Sequence, residues 1–183
     1  ALAFVDDQLA APAGEALRDA WRSFLIETFG DHLLELGWRP EKDEDERSRV
    51  RRAVVVGLLG HVAEWEAVTE VVGEKCRAYL DDRRALEPNL ADPVVSLAAR
   101  QGDVRLYERL AREAEKAGTP QERRRFLFAL ADFRDPRLLD RTRRACLADV
   151  PVQDMPLLVV RLLHNPAARE ETWEFLRKRW AKI

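Results

Sequence analysis

The three histidines of this 183-residue chain are the first residues to test for chemistry, because imidazole serves both as a metal ligand and as an acid or base. His32, His61 and His164 lie far apart in the sequence, and none has a second ligand four residues away. The zinc-binding pattern His-Glu-x-x-His is absent, as are a Cys-x-x-Cys pair, a glycine-rich phosphate loop and a Gly-x-Ser-x-Gly elbow. We interpret His61 as a satisfied core or helix-end histidine and His164 as a residue at a helix C-terminus, a favourable place for a cation.

Other groups of reactive side chains favour structural interpretations. The charged run 41–46 contains carboxylates that resemble metal ligands, but a solvated linker is the better interpretation. The arginine run 123–125 is predicted to lie on the wet face of an amphipathic helix rather than in an anion site. Cys76 and Cys146 fall on apolar stripes and are predicted to be small core residues, which fits a reducing compartment. The five tryptophans are predicted to be packing anchors.

The elements that position these residues are predicted to be helices, because the apolar period is helical almost everywhere. The first long helix is indicated by apolar or small residues at helical spacing, namely Leu17, Ala20, Trp21, Phe24, Leu25 and Thr28. Gly30 and Asp31 are predicted to end this helix. The segment 39–46 is charged, contains Pro40 and lacks an apolar period, so it is the predicted linker and a soft boundary.

The next helix is predicted to be apolar around most of its girth and therefore to lie in the middle of a stack. Its main stripe is Val50, Ala53, Val54, Gly57, Leu58 and His61, broadened by Val55, Val56 and Leu59. Further helix starts are indicated where a capping side chain precedes a proline, as in Asp92-Pro93, Thr119-Pro120, Asp135-Pro136 and Asn165-Pro166. Thr119-Pro120-Gln121-Glu122 also fits a capping box. The predicted helices are 47–61, 64–81, 92–101, 103–117, 120–133, 136–148, 152–164 and 167–181.

The order of these helices predicts an all-α fold of stacked antiparallel helix pairs, a HEAT- or armadillo-like α–α superhelix. The pairs are at or below the roughly 40 residues of such repeats. We expect leading helices over residues 1–40 and HEAT-like repeats over 41–183.

Composition excludes several classes of function. Lysine plus arginine (31) nearly balances aspartate plus glutamate (33), which disfavours a nucleic-acid binder. The apolar run around 54–59 is far shorter than the roughly 20 residues of a membrane span. Residues 1–7 begin without methionine and carry an acidic pair, which is not typical of a signal peptide. We interpret this start as a cut inside a longer, cytoplasmic polypeptide.

Several segments together resemble one family. They are Leu36-Gly37-Trp38-Arg39-Pro40, Ala98-Ala99-Arg100-Gln101-Gly102-Asp103, Thr119-Pro120-Gln121-Glu122-Arg123, Ala131-Asp132-Phe133-Arg134-Asp135-Pro136, Val152-Gln153-Asp154, Asn165-Pro166-Ala167-Ala168-Arg169, Trp173-Glu174-Phe175 and Trp180. In order and spacing, these landmarks are similar to the C-terminal helical domain of gluzincin aminopeptidases, of the aminopeptidase N, puromycin-sensitive and endoplasmic-reticulum types.

The resemblance implies that the chemistry lies elsewhere in the parent protein. In that family an upstream domain carries His-Glu-x-x-His, a distal glutamate ligand and Gly-x-Met-x-Asn, and none of these occurs here. The resemblance therefore implies no catalytic or metal-binding residue in this chain, and zinc in the missing domain. It implies a helical bowl that closes over the catalytic domain of the same polypeptide, encloses the peptide substrate and gates its access, in a parent that releases N-terminal amino acids.

Three residues are candidate contacts to a peptide in this bowl. Arg100 precedes the Gly-Asp turn, where it either pairs with Asp103 or presents its guanidinium to a peptide carboxylate. Gln153 and Asp154 open a helix, where an aspartate also has an ordinary structural role. A free-standing HEAT-like module that binds another protein is the main alternative, and a small-molecule-binding bundle is a third. We also expect the isolated domain to self-associate through exposed apolar surface.

Overall fold

All regular secondary structure is helical in the computed structural model, which describes residues 2–179. The helices are α1 (Leu2–Val5), α2 (Glu15–Leu36), α3 (Glu46–His61), α4 (Glu66–Thr69), α5 (Val72–Asp81), α6 (Ala91–Arg100), α7 (Val104–Lys116), α8 (Pro120–Ala129), α9 (Pro136–Ala145), α10 (Met155–His164) and α11 (Arg169–Arg179). A π-helical turn (Asp6–Ala10) follows α1, and 3-10 turns (Arg83–Ala85 and Pro88–Leu90) precede α6. The all-α prediction is confirmed. Trp180 and the predicted end of the last helix lie outside the described residues.

The chain divides into two compact units, the first ending at Leu97 and the second beginning at Ala98, within α6. In the first unit α2 packs on α3, and in the second α7 packs on α8 and α10 on α11. Short connections such as 117–119 make neighbouring helices antiparallel. The boundary expected at 39–46 and the HEAT-like character stay predictions.

Helix α2 runs without a break through Gly30, so the predicted end there is wrong. Gly30 is buried, and a β-carbon at this position would lie 3.4 Å from Cη2 of Trp65. The indole thus packs directly against this turn of the helix, and a glycine inside a helix costs roughly 1 kcal/mol relative to alanine. The helix ends at Gly37 instead, where φ is +58°, a conformation that favours glycine.

The buried face of α3 is the predicted one only in part, because Val55, Val56 and Leu59 are buried but the main stripe is not. Its core-facing residues are Arg52, Val55, Val56, Leu59 and Gly60. In contrast, Val50 and Val54 from the predicted stripe are 47% and 63% exposed. The helix is therefore rotated so that a fully buried arginine replaces part of the expected apolar contact.

The predicted helix 64–81 is divided into α4 and α5. Glu64, which precedes α4, has a φ of +49°, and Nη2 of Arg22 lies 2.7 Å from its Oε2. This ion pair joins the turn to α2. Cys76 is buried on α5, as predicted, and burial raises the pKa of its thiol to about 12.

The proline signals identified some helix starts and misplaced another. The Thr119 hydroxyl accepts a hydrogen bond from the Glu122 N–H at 3.2 Å, and the Asp135 carboxylate accepts one from the Arg137 N–H at 2.8 Å. Asp92, however, lies inside α6, so its assignment as a cap is wrong. Glu87 has that role, because its carboxylate accepts from the Leu90 N–H and caps the 3-10 turn that leads into α6.

Candidate functional site

The three candidate contacts lie on two helix ends of the second unit. Arg100 is the last residue of α6 and is half-buried. Gln153 is exposed in the turn before α10, whereas its neighbour Asp154 is 4% exposed. Asp103, the alternative partner considered for Arg100, caps α7 by accepting a hydrogen bond from the Leu106 N–H at 3.0 Å.

Asp154 joins the start of α10 to α8. Its Oδ1 lies 2.6 Å from Nε of Arg124, and it makes no capping hydrogen bond to α10. The side chain of Arg124 keeps 44% of its surface exposed. Arg123 is exposed as predicted, and Arg124 is partly exposed but also pairs with a carboxylate, which the interpretation of the run 123–125 did not include. A buried carboxylate needs such a partner, because an isolated buried charge is strongly unfavourable.

A second ion pair joins α10 to the loop between α8 and α9. Nε of Arg161 lies 3.0 Å from Oδ1 of Asp132, and Nη2 lies 2.8 Å from Oδ2. This two-bond geometry between a guanidinium and a carboxylate fixes orientation as well as distance.

The residue after α10 anchors the backbone of the same loop. The Asn165 side-chain amide donates to the carbonyls of Ala131 and Phe133, both at 2.8 Å. Its Oδ1 accepts from the Ala167 N–H at 3.0 Å, so Asn165 caps the turn before α11. Asn165 thus has a second role that its predicted capping function did not include.

Residues of α7 and α9 also contact the loop between α8 and α9. The Thr142 hydroxyl lies 3.1 Å from the Leu130 carbonyl and 3.0 Å from the Tyr107 hydroxyl. The Tyr107 ring also makes an edge contact with Phe133, with ring centroids 5.3 Å apart. Leu130, Ala131 and Phe133 of this loop are therefore buried, and its backbone carbonyls are hydrogen-bonded to Thr142 and Asn165.

These contacts leave one face of α10 exposed while they fix its position. We define the α10 surface as Gln153, Leu157, Val160 and His164, which follow one another at helical spacing and are all exposed. Leu157 and Val160 are 49% and 48% exposed, so the centre of this surface is apolar and its two ends are polar. The arrangement offers apolar contact flanked by hydrogen-bonding groups, on a helix whose ends are pinned to α8 and to the loop.

The first unit contains a clamp that sequence reasoning missed. The fully buried guanidinium of Arg52 donates to the Gly37 carbonyl at 2.9 Å and to the Leu36 carbonyl at 2.8 Å, and it pairs with both oxygens of Glu44. The linker interpretation of 41–46 is therefore wrong for Glu44, whose side chain is 10% exposed. The available signal was spacing, since Arg52 lies on the face of Val55 and Leu59.

The histidines and cysteines differ in burial and in their contacts. Nε2 of His61 lies 3.1 Å from the buried Ser96 hydroxyl, whereas His32 and His164 are exposed. Cys146 is buried, and desolvation raises the pKa of its thiol to about 11. Within residues 2–179 no cluster of three or more histidine, cysteine, aspartate or glutamate side chains is arranged to hold a metal ion.

The tryptophans behave differently from one another. The Trp65 indole packs on Gly30, and the ammonium of Lys75 lies 4.6 Å from the ring centroid of Trp38. Trp173 is 60% exposed, so its interpretation as a packing anchor is wrong. Over the part of the chain that the structure describes, no helix is both long and apolar enough to cross a membrane.

Comparison with known proteins identifies the family. The chain matches the ERAP1-like C-terminal domain over residues 1–183, and it belongs to that family. It is 27% identical to "Aminopeptidase M1" of Arabidopsis thaliana over 181 residues, which cover 96% of this chain and 20% of that protein. It is 22% identical to "Aminopeptidase 2" of Candida albicans over 171 residues, which cover 92% of this chain and 18% of that protein. The chain therefore spans about a fifth of the length of these relatives.

The landmarks behind the resemblance have structural roles in this chain. Gly37 ends α2, and Asp132 with Asn165 fixes the loop between α8 and α9. A β-carbon at Gly102 would lie 2.8 Å from Cε1 of Phe133, so the Gly-Asp turn depends on this close approach. Landmarks of this kind identify a fold and not an active site.

Proposed function

We propose that this chain is the non-catalytic C-terminal domain of a zinc-dependent aminopeptidase that releases N-terminal amino acids from peptides in the cytoplasm. Its partner is the upstream catalytic domain of the same polypeptide, which holds the zinc. The domain encloses the peptide-binding chamber and, by opening and closing, gates access to the active site. The observation that carries the proposal is family membership over all 183 residues, in a chain that spans a fifth of two aminopeptidases.

The α10 surface is the proposed wall of the chamber. Gln153 offers an amide donor and acceptor to a peptide backbone, and Leu157 and Val160 offer apolar contact to side chains. The geometry supports this assignment because pinned helix ends reduce the entropy lost when a ligand binds. Asp154 is buried, so it acts as a positioning residue through its ion pair with Arg124.

Arg100 is the third proposed contact. It lies at the end of α6, directly before the Gly102-Asp103 turn. A guanidinium binds a carboxylate through two parallel hydrogen bonds, which suits the C-terminal carboxylate of a peptide. In this assignment α10 contacts the body of the peptide and Arg100 contacts its far end.

The test uses the complete parent polypeptide and two substrates, an aminoacyl reporter and a long peptide. We expect zinc-dependent release of N-terminal residues from both. Gln153→Ala removes a hydrogen-bonding side chain worth about 1 kcal/mol, so KM for the long peptide should rise roughly fivefold and KM for the reporter should rise less. Gln121→Ala is the matched control, since Gln121 is an exposed glutamine on α8.

Two outcomes contradict different parts of the proposal. A parent without zinc-dependent aminopeptidase activity removes the enzyme assignment and favours an interaction role for the helical domain. Equal KM changes for Gln153→Ala and Gln121→Ala leave the enzyme assignment standing and remove the α10 surface as the chamber wall.

A further inference from the structure

Lys75 lies at the edge of the buried face of α5, close to the segment that follows α2. Val72 and Cys76 on the same helix are buried, whereas Lys75 is half-buried. The ammonium of Lys75 lies 4.6 Å from the ring centroid of Trp38. Among the residues that the structure describes, no carboxylate forms an ion pair with this ammonium. Lys75 is therefore a partly desolvated amine that lies against an aromatic ring and keeps some exposure to solvent.

The position of Trp38 is set by the backbone that precedes it. Gly37, which has a φ of +58°, ends α2 and turns the chain. The buried guanidinium of Arg52 donates a hydrogen bond to the Gly37 carbonyl at 2.9 Å. Because this contact holds the turn, it also defines where Trp38 and its neighbour Arg39 lie relative to Lys75.

Two effects favour the neutral amine of Lys75 over its ammonium. Desolvation lowers the pKa of Lys75 below the ordinary lysine value, and the positive charge of Arg39 lowers it further. The charge of Glu74 and the attraction of the Trp38 ring act in the opposite direction, but Glu74 forms no ion pair with the ammonium. A lysine that is desolvated and lies near another cation is an activated nucleophile, because a larger fraction of it is unprotonated at neutral pH.

We propose that Lys75 is an acylation site of this chain, at which an acyl phosphate transfers its acyl group to the side-chain amine. The neutral amine attacks the carbonyl carbon, so a C–N bond forms while the bond between that carbon and the phosphate oxygen breaks. Phosphate leaves with the electron pair of the broken bond, and the nitrogen loses its proton to water. Arg39 suits an acyl phosphate in particular, because a guanidinium binds phosphate through parallel hydrogen bonds.

Acylation changes the contacts of this amine, because an amide carries no charge. The cation–π contact with Trp38 is lost, and so is the repulsion from Arg39. The segment after α2 therefore loses one of its contacts with α5 when Lys75 is modified.

The other described lysines provide controls inside the same molecule. Lys178 lies 4.0 Å from Glu174, so a carboxylate is close to its ammonium. Lys42 and Lys116 are exposed, in contrast to the half-buried Lys75. Lys116, on α7, is the matched control, because it reports the reactivity of an exposed lysine under identical conditions.

The experiment treats the folded 183-residue chain with acetyl phosphate at pH 7 and measures the acetylation rate of each lysine by peptide mass spectrometry. We expect Lys75 to react at least about threefold faster than Lys116. In urea, where the fold is lost, this difference should disappear. The lead of Lys75 should be smaller with acetic anhydride, which carries no phosphate for Arg39 to bind.

Two substitutions should change the acetylation rate of Lys75 in opposite directions. Arg39→Gln removes the positive charge that favours the neutral amine, so acetylation by either reagent should slow. Glu74→Gln removes the charge that favours the ammonium, so acetylation should become faster. Neither substitution should alter the rate at Lys116, and circular dichroism checks that both variants are folded.

Several results would overturn the inference. A Lys75 rate at pH 7 that does not exceed the Lys116 rate shows that the amine is not activated. A lead that persists in urea, or that neither substitution changes, shows that these surroundings do not cause it. Equal leads with the two reagents remove the assignment of an acyl phosphate. The measurement is repeated on the complete parent polypeptide, where loss of the lead means that Lys75 is not a modification site of the whole protein. The inference does not rest on the proposed function, because no peptidase activity is measured.

Discussion

The two units each use an arginine to hold an irregular segment against a helix, but the two arginines differ in burial. Arg52 is completely buried and binds two backbone carbonyls as well as Glu44. Arg161 keeps 39% of its side chain exposed and binds Asp132 through two hydrogen bonds. A buried guanidinium has lost its water and depends on its protein acceptors, whereas a half-exposed one remains partly hydrated. Similar contacts should therefore contribute very different amounts to stability.

The largest expected effect is that of Arg52→Met. The substitution keeps an apolar stem but leaves the Leu36 and Gly37 carbonyls and the Glu44 carboxylate without their donor. Removing one partner of a buried ion pair costs about 3–5 kcal/mol. Arg161→Met is the matched variant, and its cost should be nearer 1 kcal/mol, because truncating the 39% exposed Arg161 side chain lets water reach the 14% exposed Asp132 carboxylate.

Urea unfolding followed by circular dichroism measures both changes at the same pH and ionic strength. An equal cost for the two methionine variants would contradict the comparison, since burial would then have no influence on the contribution of either arginine. A larger cost for Arg161→Met would reverse it.

An intermediate effect is expected for Asn165→Asp, which removes the side-chain amide that holds the backbone of the loop between α8 and α9. The variant keeps an oxygen that accepts from the Ala167 N–H, but it loses both donors to Ala131 and Phe133. These two residues are completely buried, so each carbonyl that loses its partner is expensive, and we expect a loss of about 2 kcal/mol. Asn165→Asp should therefore be more destabilising than Arg161→Met in the same urea experiment. The opposite order would mean that the ion pair, and not the amide, holds the loop.

Local signals explain why much of the fold was predictable from the sequence. The starts of α8 and α9 follow from a capping side chain before a proline, which acts within a few residues. The continuation of α2 through Gly30 was not predicted, because a glycine inside a helical pattern is tolerated as well as being a common helix end, and the local sequence does not separate the two. The burial of Arg52 on α3 was not predicted because its hydrogen-bond acceptors lie outside the helix, at positions 36, 37 and 44.

The candidate site shows the same limit. Family landmarks located Gln153 and Asp154 at the start of a helix, which the structure shows directly before α10. The ion pair of Asp154 with Arg124 joins residues 30 positions apart, and no local pattern indicates it. The stripe Leu17, Ala20 and Phe24 was recognised as apolar, but periodicity does not distinguish a face that packs inside the unit from one that stays exposed.

The smallest expected effect is the change in the unfolding free energy at acid pH that comes from the Arg52–Glu44 pair. The hydrogen bond from Arg52 holds the pKa of Glu44 below its usual value, so the folded chain binds this proton more weakly than the unfolded chain does. The stabilisation is therefore fully present above the ordinary glutamate pKa and is lost as the pH falls through the lower pKa of the folded state. Glu44→Gln should lose less stability than the wild type between pH 7 and pH 3.

This difference isolates Glu44, although other carboxylates also titrate in the same range. Hydrogen bonds lower the pKa values of Asp45 and Asp135 as well, but both groups are present in the wild type and in the Glu44→Gln variant. Their contributions cancel when the two pH profiles of the unfolding free energy are subtracted. If the two profiles stay parallel down to pH 3, Arg52 holds the segment after α2 through the Leu36 and Gly37 carbonyls alone. The larger contribution of Arg52 to stability, compared with Arg161, then comes from its burial and not from its carboxylate partner.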